Sequence, residues 1–252
     1  MEPAELYLDL LKKSLTATLF ASEPDHDQKS QAQFLRGFVS HYIRGSALTM
    51  LPTVRLNHLQ SCIVDVIERS VPGDVIETGV WRGGATIFMR GIFKALGVRD
   101  RNVWVADSFE GLPLSDAEKF PLEAQAHAGP FMTKVCNHLA VTIDEVKRNF
   151  ESYSLLDGQV RFLKGWFSDT LPGASIERLA VMRLDGDLYD STRDALVGLY
   201  DRLSPGGYVI IDDYGEDSWT YCRRAVDEFR AQRGISDPLL KVDSRCYYWQ
   251  RS

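Results

Sequence analysis

Two apolar runs in this chain end in acids. Met182-Arg183-Leu184-Asp185-Gly186-Asp187 and Tyr208-Val209-Ile210-Ile211-Asp212-Asp213 each lead a β-rich segment into a pair of carboxylates. If the two runs are neighbouring parallel strands, their acids crowd at one sheet edge and repel one another unless a cation neutralises them. All-oxygen ligation by Asp185, Asp212 and Asp213 selects a hard ion, Mg²⁺ first, with Ca²⁺ or Mn²⁺ as relatives. Neither His nor Cys accompanies these motifs, which disfavours zinc. Acids after a strand can also simply cap the next helix, the role expected of Asp190 before Ser191-Thr192.

A second constellation lies upstream. Val75-Ile76-Glu77-Thr78-Gly79-Val80-Trp81-Arg82-Gly83-Gly84 reads as a strand turning into a helix through glycines, which lets the backbone approach a nucleotide-like cofactor. The dinucleotide pattern would need glycine at 79, 81 and 84, and Trp81 breaks it, which disfavours NAD and FAD. Glu77 instead fits a cofactor that presents a cation and no phosphate, such as the methionyl ammonium of S-adenosylmethionine. A tight turn with a buried glutamate is the alternative. Asp107, closing Val103-Trp104-Val105-Ala106, can accept both hydroxyls of a ribose, a feature that NAD and methyl-donor folds share; a loop cap is the plainer role. Trp166 and Phe167, after Val160–Lys164, either cover an adenine or belong to the core. Of the five histidines none shows paired ligand spacing; His58 fits a helix face, and His127 and His138 can reach a substrate.

Such strand ends need a doubly wound scaffold, and the rest of the chain supplies its pattern. Strands at Asp74–Thr78, Asn102–Asp107, Val160–Lys164, Leu179–Asp185 and Gly207–Asp212 alternate with helices at Ala85–Leu96, Ile143–Tyr153, Asp190–Leu203 and Ser218–Arg233. Near-continuous apolar strands predict a mostly parallel sheet with helices on both faces, an α/β fold. Leu239–Val242 and Cys246–Trp249, joined by Asp243-Ser244-Arg245, predict a closing antiparallel hairpin. Ahead of the sheet, Glu5–Phe20, Gln31–Tyr42 and Arg55–Val71 have helical spacing, Ala21–Ser30 reads as a loop, and Gly45–Pro52 reads as a hinge. We therefore expect one domain over residues 1–252, with a helical cap at 1–71, a core at 72–252, and a lid insertion at 110–141.

Composition narrows the partners. With 252 residues, 44% apolar and 25% charged, the chain is ordinary for a water-soluble protein. Its formal net charge of −6 and dispersed basic residues argue against nucleic acid. It has no apolar run long enough to span a membrane and no basic leader before an apolar segment, so the cytoplasm is expected. The four cysteines, Cys62, Cys136, Cys222 and Cys246, form no CxxC pair and read as free thiols.

These motifs resemble the macrocin- and mycinamicin-type sugar O-methyltransferases of antibiotic biosynthesis, a family that includes the noviose O-methyltransferase. The resemblance spans nearly the whole chain. It is carried by Glu5–Lys12, Arg55-Leu56-Asn57, Pro72–Gly84, Val105–Phe109, Gly165-Trp166-Phe167, Asp185-Gly186-Asp187 and Asp212-Asp213-Tyr214. It implies a Rossmann-like class I methyltransferase sheet, S-adenosylmethionine and Mg²⁺ as cofactors, and a small glycosylated acceptor. By the same resemblance Asp185, Asp212 and Asp213 would hold the metal and Asp187 would be the general base. The cofactor would meet Thr49, Met50, Glu77, Thr78, Gly79, Val80, Asp107, Ser108, Phe109, Trp166, Phe167 and Asp185. Assembly of relatives through N-terminal elements implies a homo-oligomer. The lid stretch Glu123–Pro130 departs from the family, which leaves the acceptor open. The rivals are a catechol-type methyltransferase acting on a phenolic diol, an NAD-dependent oxidoreductase, and a non-catalytic binding module.

Overall fold

The computed structural model describes residues 2–22, 39–43, 45–127, 130–215 and 220–252. The loop expected at Ala21–Ser30 and most of the helix expected at Gln31–Tyr42 lie outside the described residues; Val39–Ile43 forms a π-helical turn.

The core is one seven-stranded sheet. Its strands are β1 (Asp74–Thr78), β2 (Val103–Asp107), β3 (Val160–Lys164), β4 (Leu179–Leu184), β5 (Leu203–Ile211), β6 (Leu240–Lys241) and β7 (Tyr247–Gln250), in the order β3-β2-β1-β4-β5-β7-β6. The pairs among β1 to β5 are parallel, and β7 lies antiparallel between β5 and β6. The order reverses direction between β1 and β4, and ligands of open α/β sheets bind beyond the strand ends at such a point.

Alternation along the strands divides the core into two layers. Val75, Val103, Val105, Val181 and Ile210 face one side. There they meet α1 (Pro3–Leu15), α2 (Thr53–Glu68), α3 (Gly84–Ala95) and α6 (Ile143–Ser152). Ile76, Trp104, Met182, Val209 and Ile211 face the other, against α8 (Tyr189–Leu199) and α9 (Thr220–Arg233). Each fully buried Ile, Leu or Val contributes about 1.5–3 kcal/mol, so the two layers together fix the sheet far more firmly than any surface pair.

The insertion at 110–141 carries two helices, α4 (Pro121–His127) and α5 (Pro130–Leu139); the short α7 (Phe167–Thr170) follows β3. Asp190 does not cap α8 as expected. The helix begins one residue earlier, at Tyr189, which puts Asp190 inside the first turn. Glu123 of α4 accepts a hydrogen bond from the Tyr189 amide (3.1 Å), so the 110–141 insertion supplies the acceptor that the N-cap residue Leu188 lacks. All four cysteines are free, and among the described residues no helix is long and apolar enough to cross a membrane.

Candidate functional site

Strand register builds the site. Thr78 pairs with Ala106 on one side and with Leu184 on the other, and Leu184 pairs with Ile211. The next residue of each strand, Gly79, Asp107, Asp185 and Asp212, therefore falls in a single row at the carboxyl edge. The ladder continues into that row through Gly79 N to Ala106 O (2.9 Å), Asp185 N to Thr78 O (2.9 Å) and Asp212 N to Leu184 O (3.0 Å). Gly79 has φ 87°, and a Cβ on it would lie 1.8 Å from the Asp185 carbonyl oxygen. Any side chain here would push β1 away from β4, so this glycine serves the contact between the two strand ends as well as the turn.

On the β4–β5 side the ligand atoms of Asp185, Asp212 and Asp213 all lie within 4.8 Å of one another. A six-coordinate Mg²⁺ with bonds of about 2.1 Å spans at most about 4.2 Å between opposite oxygens, so small side-chain rotations would close the set around an ion. Asp213 Oδ2 is buried with no hydrogen-bond partner. Burial, then the neighbouring Asp187, Asp185 and Asp212, push the Asp213 carboxyl well above the ordinary carboxylate range. A buried acceptor without a donor, among like charges, is the surrounding a hard cation fits.

Two arginines stand behind this cluster. Arg183 is the penultimate residue of β4 and is 1% exposed. It pairs with Glu77, donates to Asp185 Oδ2 (2.9 Å), and lies 2.6 Å from Asp212 Oδ1 as an ion pair whose angles fall outside a hydrogen bond. Arg55, from α2, donates to Asp212 Oδ2 (2.7 Å) and to Asp243 Oδ2 (2.6 Å). The acids respond differently. Burial would raise Asp212, but Arg183 and Arg55 outweigh it and hold its carboxyl below the ordinary range. Asp185 is pushed up to about 6 and Glu77 to about 8, in both cases by burial that Arg183 only partly offsets.

On the β1–β2 side the holding groups are mostly neutral. Asp107 Oδ2 accepts from the Val80 amide (2.7 Å) and its Oδ1 from the Phe109 amide (2.8 Å), which ties the turn after β1 to the turn after β2. Ser108 Oγ adds a longer contact to Oδ1 at 3.5 Å. Burial raises the Asp107 carboxyl, against the pull of these amides. Ser108 donates to the Gly111 carbonyl (2.8 Å), closing the β2 turn. Trp81 (φ 49°) and Phe109 (φ 58°) sit in the left-handed region, backbone strain of the kind that collects at ligand turns. The Trp81 indole donates to the His138 carbonyl (3.0 Å) at the end of α5, and the Arg82 guanidinium stacks on its ring at 4.4 Å. The hinge closes against the same turn: Gly84 N donates to Leu48 O (2.9 Å) and Arg82 to Ala47 O (2.9 Å). Thr49 and Met50 thereby stand at the start of α3.

The remaining candidates divide. Phe167 packs on the second core layer, whereas Trp166 is 37% exposed at the rim. Glu77 is buried beneath the edge, with Oε1 on Arg183 and Oε2 without a hydrogen-bond partner. His58 lies on α2 against Tyr248, where burial lowers it to about 4. His138 is exposed in α5. Arg55, Arg183 and Asp243 were not among the residues expected here. One signal for Arg183 was present: it is a lone charge inside an apolar strand buried on both faces, and register sets it directly beside Glu77.

The sequence profile of the family described as Macrocin-O-methyltransferase (TylF) matches residues 42–251. The chain is 48% identical over 258 aligned positions to the 8-demethyl-8-(2,3-dimethoxy-alpha-L-rhamnosyl)-tetracenomycin-C 4'-O-methyltransferase of Streptomyces olivaceus, covering 98% of this chain and 93% of that one. It is 46% identical to the mycinamicin III 3''-O-methyltransferase of Micromonospora griseorubida, covering 98% and 97%. The solved structure of the O-methyltransferase NovP superposes with a TM-score of 0.85 at 46% identity, covering 99% of each chain.

Proposed function

This chain belongs to the macrocin O-methyltransferase family and is an S-adenosylmethionine-dependent O-methyltransferase of class I fold, and from that premise we propose that it methylates a sugar hydroxyl of a glycosylated natural product with the help of Mg²⁺. The observation that carries the reading is the contact between strand ends: the glycine turn after β1 touches the backbone of Asp185, so a cofactor at the turn and an ion on the carboxylates would be neighbours. The relatives' activities, 4'-O-methylation of a rhamnosyl-tetracenomycin and 3''-O-methylation of mycinamicin III, support the acceptor class.

The chain's own residues divide the work. The turn Glu77–Val80 and the Asp107–Phe109 turn would hold the methyl donor, with Asp107 receiving the ribose hydroxyls and Thr49 and Met50 closing its methionine end. Asp185, Asp212 and Asp213 would hold Mg²⁺, whose charge, when bound, orients and acidifies a hydroxyl of the acceptor diol. Asp187, held at φ 57° in the left-handed region beside Asp213, would take the hydroxyl proton. The methyl donor so held would supply its methyl group to that oxygen, giving the methyl ether and S-adenosylhomocysteine. Alignment supplies much of the rate, since effective molarities of well-oriented groups reach on the order of 10⁵ M. The helices of the 110–141 insertion, anchored at Tyr189 by Glu123 and at Trp81 by the His138 carbonyl, would exclude water.

The test is turnover, followed by mass spectrometry, on glycosylated macrolides and on catechols, with and without EDTA. We expect a mass gain of one methyl on the glycoside, loss of activity with EDTA and its return with Mg²⁺. Full activity in metal-free buffer would remove the metal from the reading, and preference for catechols would replace the acceptor.

A further inference from the structure

The carboxylates of the site stand in unequal electrostatic positions. Asp212 is held from two sides, by Arg183 at Oδ1 (2.6 Å) and by Arg55 at Oδ2 (2.7 Å). Among the described residues Asp213 lies within ion-pair distance of neither guanidinium. An ion on this cluster would therefore compete with two fixed cations for Asp212 while having Asp213 to itself. Arg55 is shared with a further acid, outside the carboxylate cluster. Asp243 takes the remaining nitrogens of Arg55, Nε at 2.6 Å and Nη2 at 3.2 Å. Its own place is fixed, because Oδ1 also accepts the amides of Arg245 (2.9 Å) and Cys246 (2.8 Å) in the turn between β6 and β7. The charges alternate along this line, Asp243 negative, Arg55 positive, Asp212 negative. They join the C-terminal hairpin to the sheet edge through a helix of the N-terminal cap.

We propose that Asp243 is a positioning residue for the carboxylate cluster, acting through Arg55 to leave Asp212 able to ligate a divalent cation. The hairpin turn thereby sets how tightly the site holds its ion. If Asp243 loses its charge, Arg55 has Asp212 as its sole ion-pair partner among the described residues, and one positive charge beside the cluster goes unbalanced. Both consequences oppose cation binding: the guanidinium occupies the oxygen more fully, and the net charge facing the ion is less negative. With an effective dielectric of about 50 at this half-buried rim, one unit charge about 10 Å from a divalent ion changes its affinity by about tenfold. The inference rests on the metal reading above.

The experiment is titration of the full chain with Mn²⁺, read by the loss of the free-ion EPR signal, without acceptor. S-adenosylhomocysteine affinity and melting temperature are measured in parallel on every variant. Asp243→Asn is expected to weaken Mn²⁺ binding about tenfold while leaving the other two readouts near wild type. Asp243→Ser, which keeps an oxygen for the turn amides, should do the same and stands in if the asparagine variant does not melt cooperatively. The double variant Asp243→Asn with Arg55→Gln removes both charges of the outer pair and should return to within about threefold of wild type. A Mn²⁺ affinity in Asp243→Asn within about twofold of wild type overturns the inference, as does a double variant no tighter than the single. Parallel losses of ion, S-adenosylhomocysteine and melting temperature would reduce Asp243 to a purely structural role and also overturn it. A wild-type chain that binds no Mn²⁺ overturns the metal reading itself, and the inference with it.

Discussion

The two halves of this site are held by opposite means. Around β1 and β2, the Asp107 carboxylate is met by backbone amides at 2.7 and 2.8 Å, and the turn is shaped by Gly79, Trp81 and the carbonyls of Ala47 and Leu48. Around β4 and β5, Asp185, Asp187, Asp212 and Asp213 crowd together, with Arg55 and Arg183 on one flank alone. A half built from amide dipoles has its geometry whatever ions are present. A half built from buried like charges has its geometry only when those charges are balanced. The difference teaches that cofactor binding and ion binding should be separable by mutation, although Gly79 and Asp185 are in contact.

The largest effect that would break this division is on chemistry. Asp187→Asn should lower kcat by about 10²–10⁴ while S-adenosylhomocysteine affinity, read by calorimetry, stays near wild type. A normal kcat would remove Asp187 as the proton acceptor. Next, Asp107→Ala removes the acceptor of two amide bonds and should weaken S-adenosylhomocysteine about 10- to 100-fold with Mn²⁺ affinity retained, since bonds to a charged group are worth about 1.5–3 kcal/mol. Equal losses of both ligands would show that the halves are not independent.

The smallest effect is on stability, and its sign follows from the raised acids. Folding moves Glu77 from 4.5 up to about 8 and Asp185 from 3.8 up to about 6, and it raises Asp213 as well. A carboxyl raised by folding binds more protons in the folded than in the unfolded chain, so stability falls as pH climbs through that window. The metal-free chain should therefore lose melting temperature between about pH 5 and pH 8, and Asp213→Asn should lose less. Each kcal/mol of relief is worth about 2–4 °C in a chain of this size. Parallel curves for the two proteins would mean that Asp213 is not strained by its neighbours.

Much of the scaffold was legible because its signals are local. Apolar runs such as Val209-Ile210-Ile211 mark buried parallel strands by themselves, and an acid directly after such a run must lie at the carboxyl edge. If the two acid-ended runs are neighbouring parallel strands their carboxylates must meet at one edge, so Asp185 beside Asp212 could be anticipated. The counter-charges could not be placed in the same way. Arg55 meets Asp212 across 157 residues and Asp243 across 188, and no periodicity encodes such distances. Asp243 reads as an ordinary turn residue, and it does cap its turn; its second duty appears only when α2 is docked. Gly79 shows a related limit. Its turn was evident in the sequence, but the Asp185 carbonyl that forbids a side chain there belongs to a strand more than 100 residues away. The contacts of the 110–141 insertion, Glu123 on Tyr189 and Trp81 on His138, arise from packing and carry no motif.

The central claim is that the Asp185, Asp212 and Asp213 edge serves the chemistry while the Gly79 and Asp107 edge serves the cofactor. Asp213→Ala tests it most directly, with S-adenosylhomocysteine affinity and single-turnover methyl transfer measured on one preparation. This division predicts affinity within about threefold of wild type, since β5, which leads into Asp213, lies three strands along the sheet from β2, which ends in Asp107. It also predicts methyl transfer reduced by at least about 10³, the scale of losing charge stabilisation at a reacting oxygen. Turnover at the wild-type rate, or affinity and turnover falling together, would contradict it.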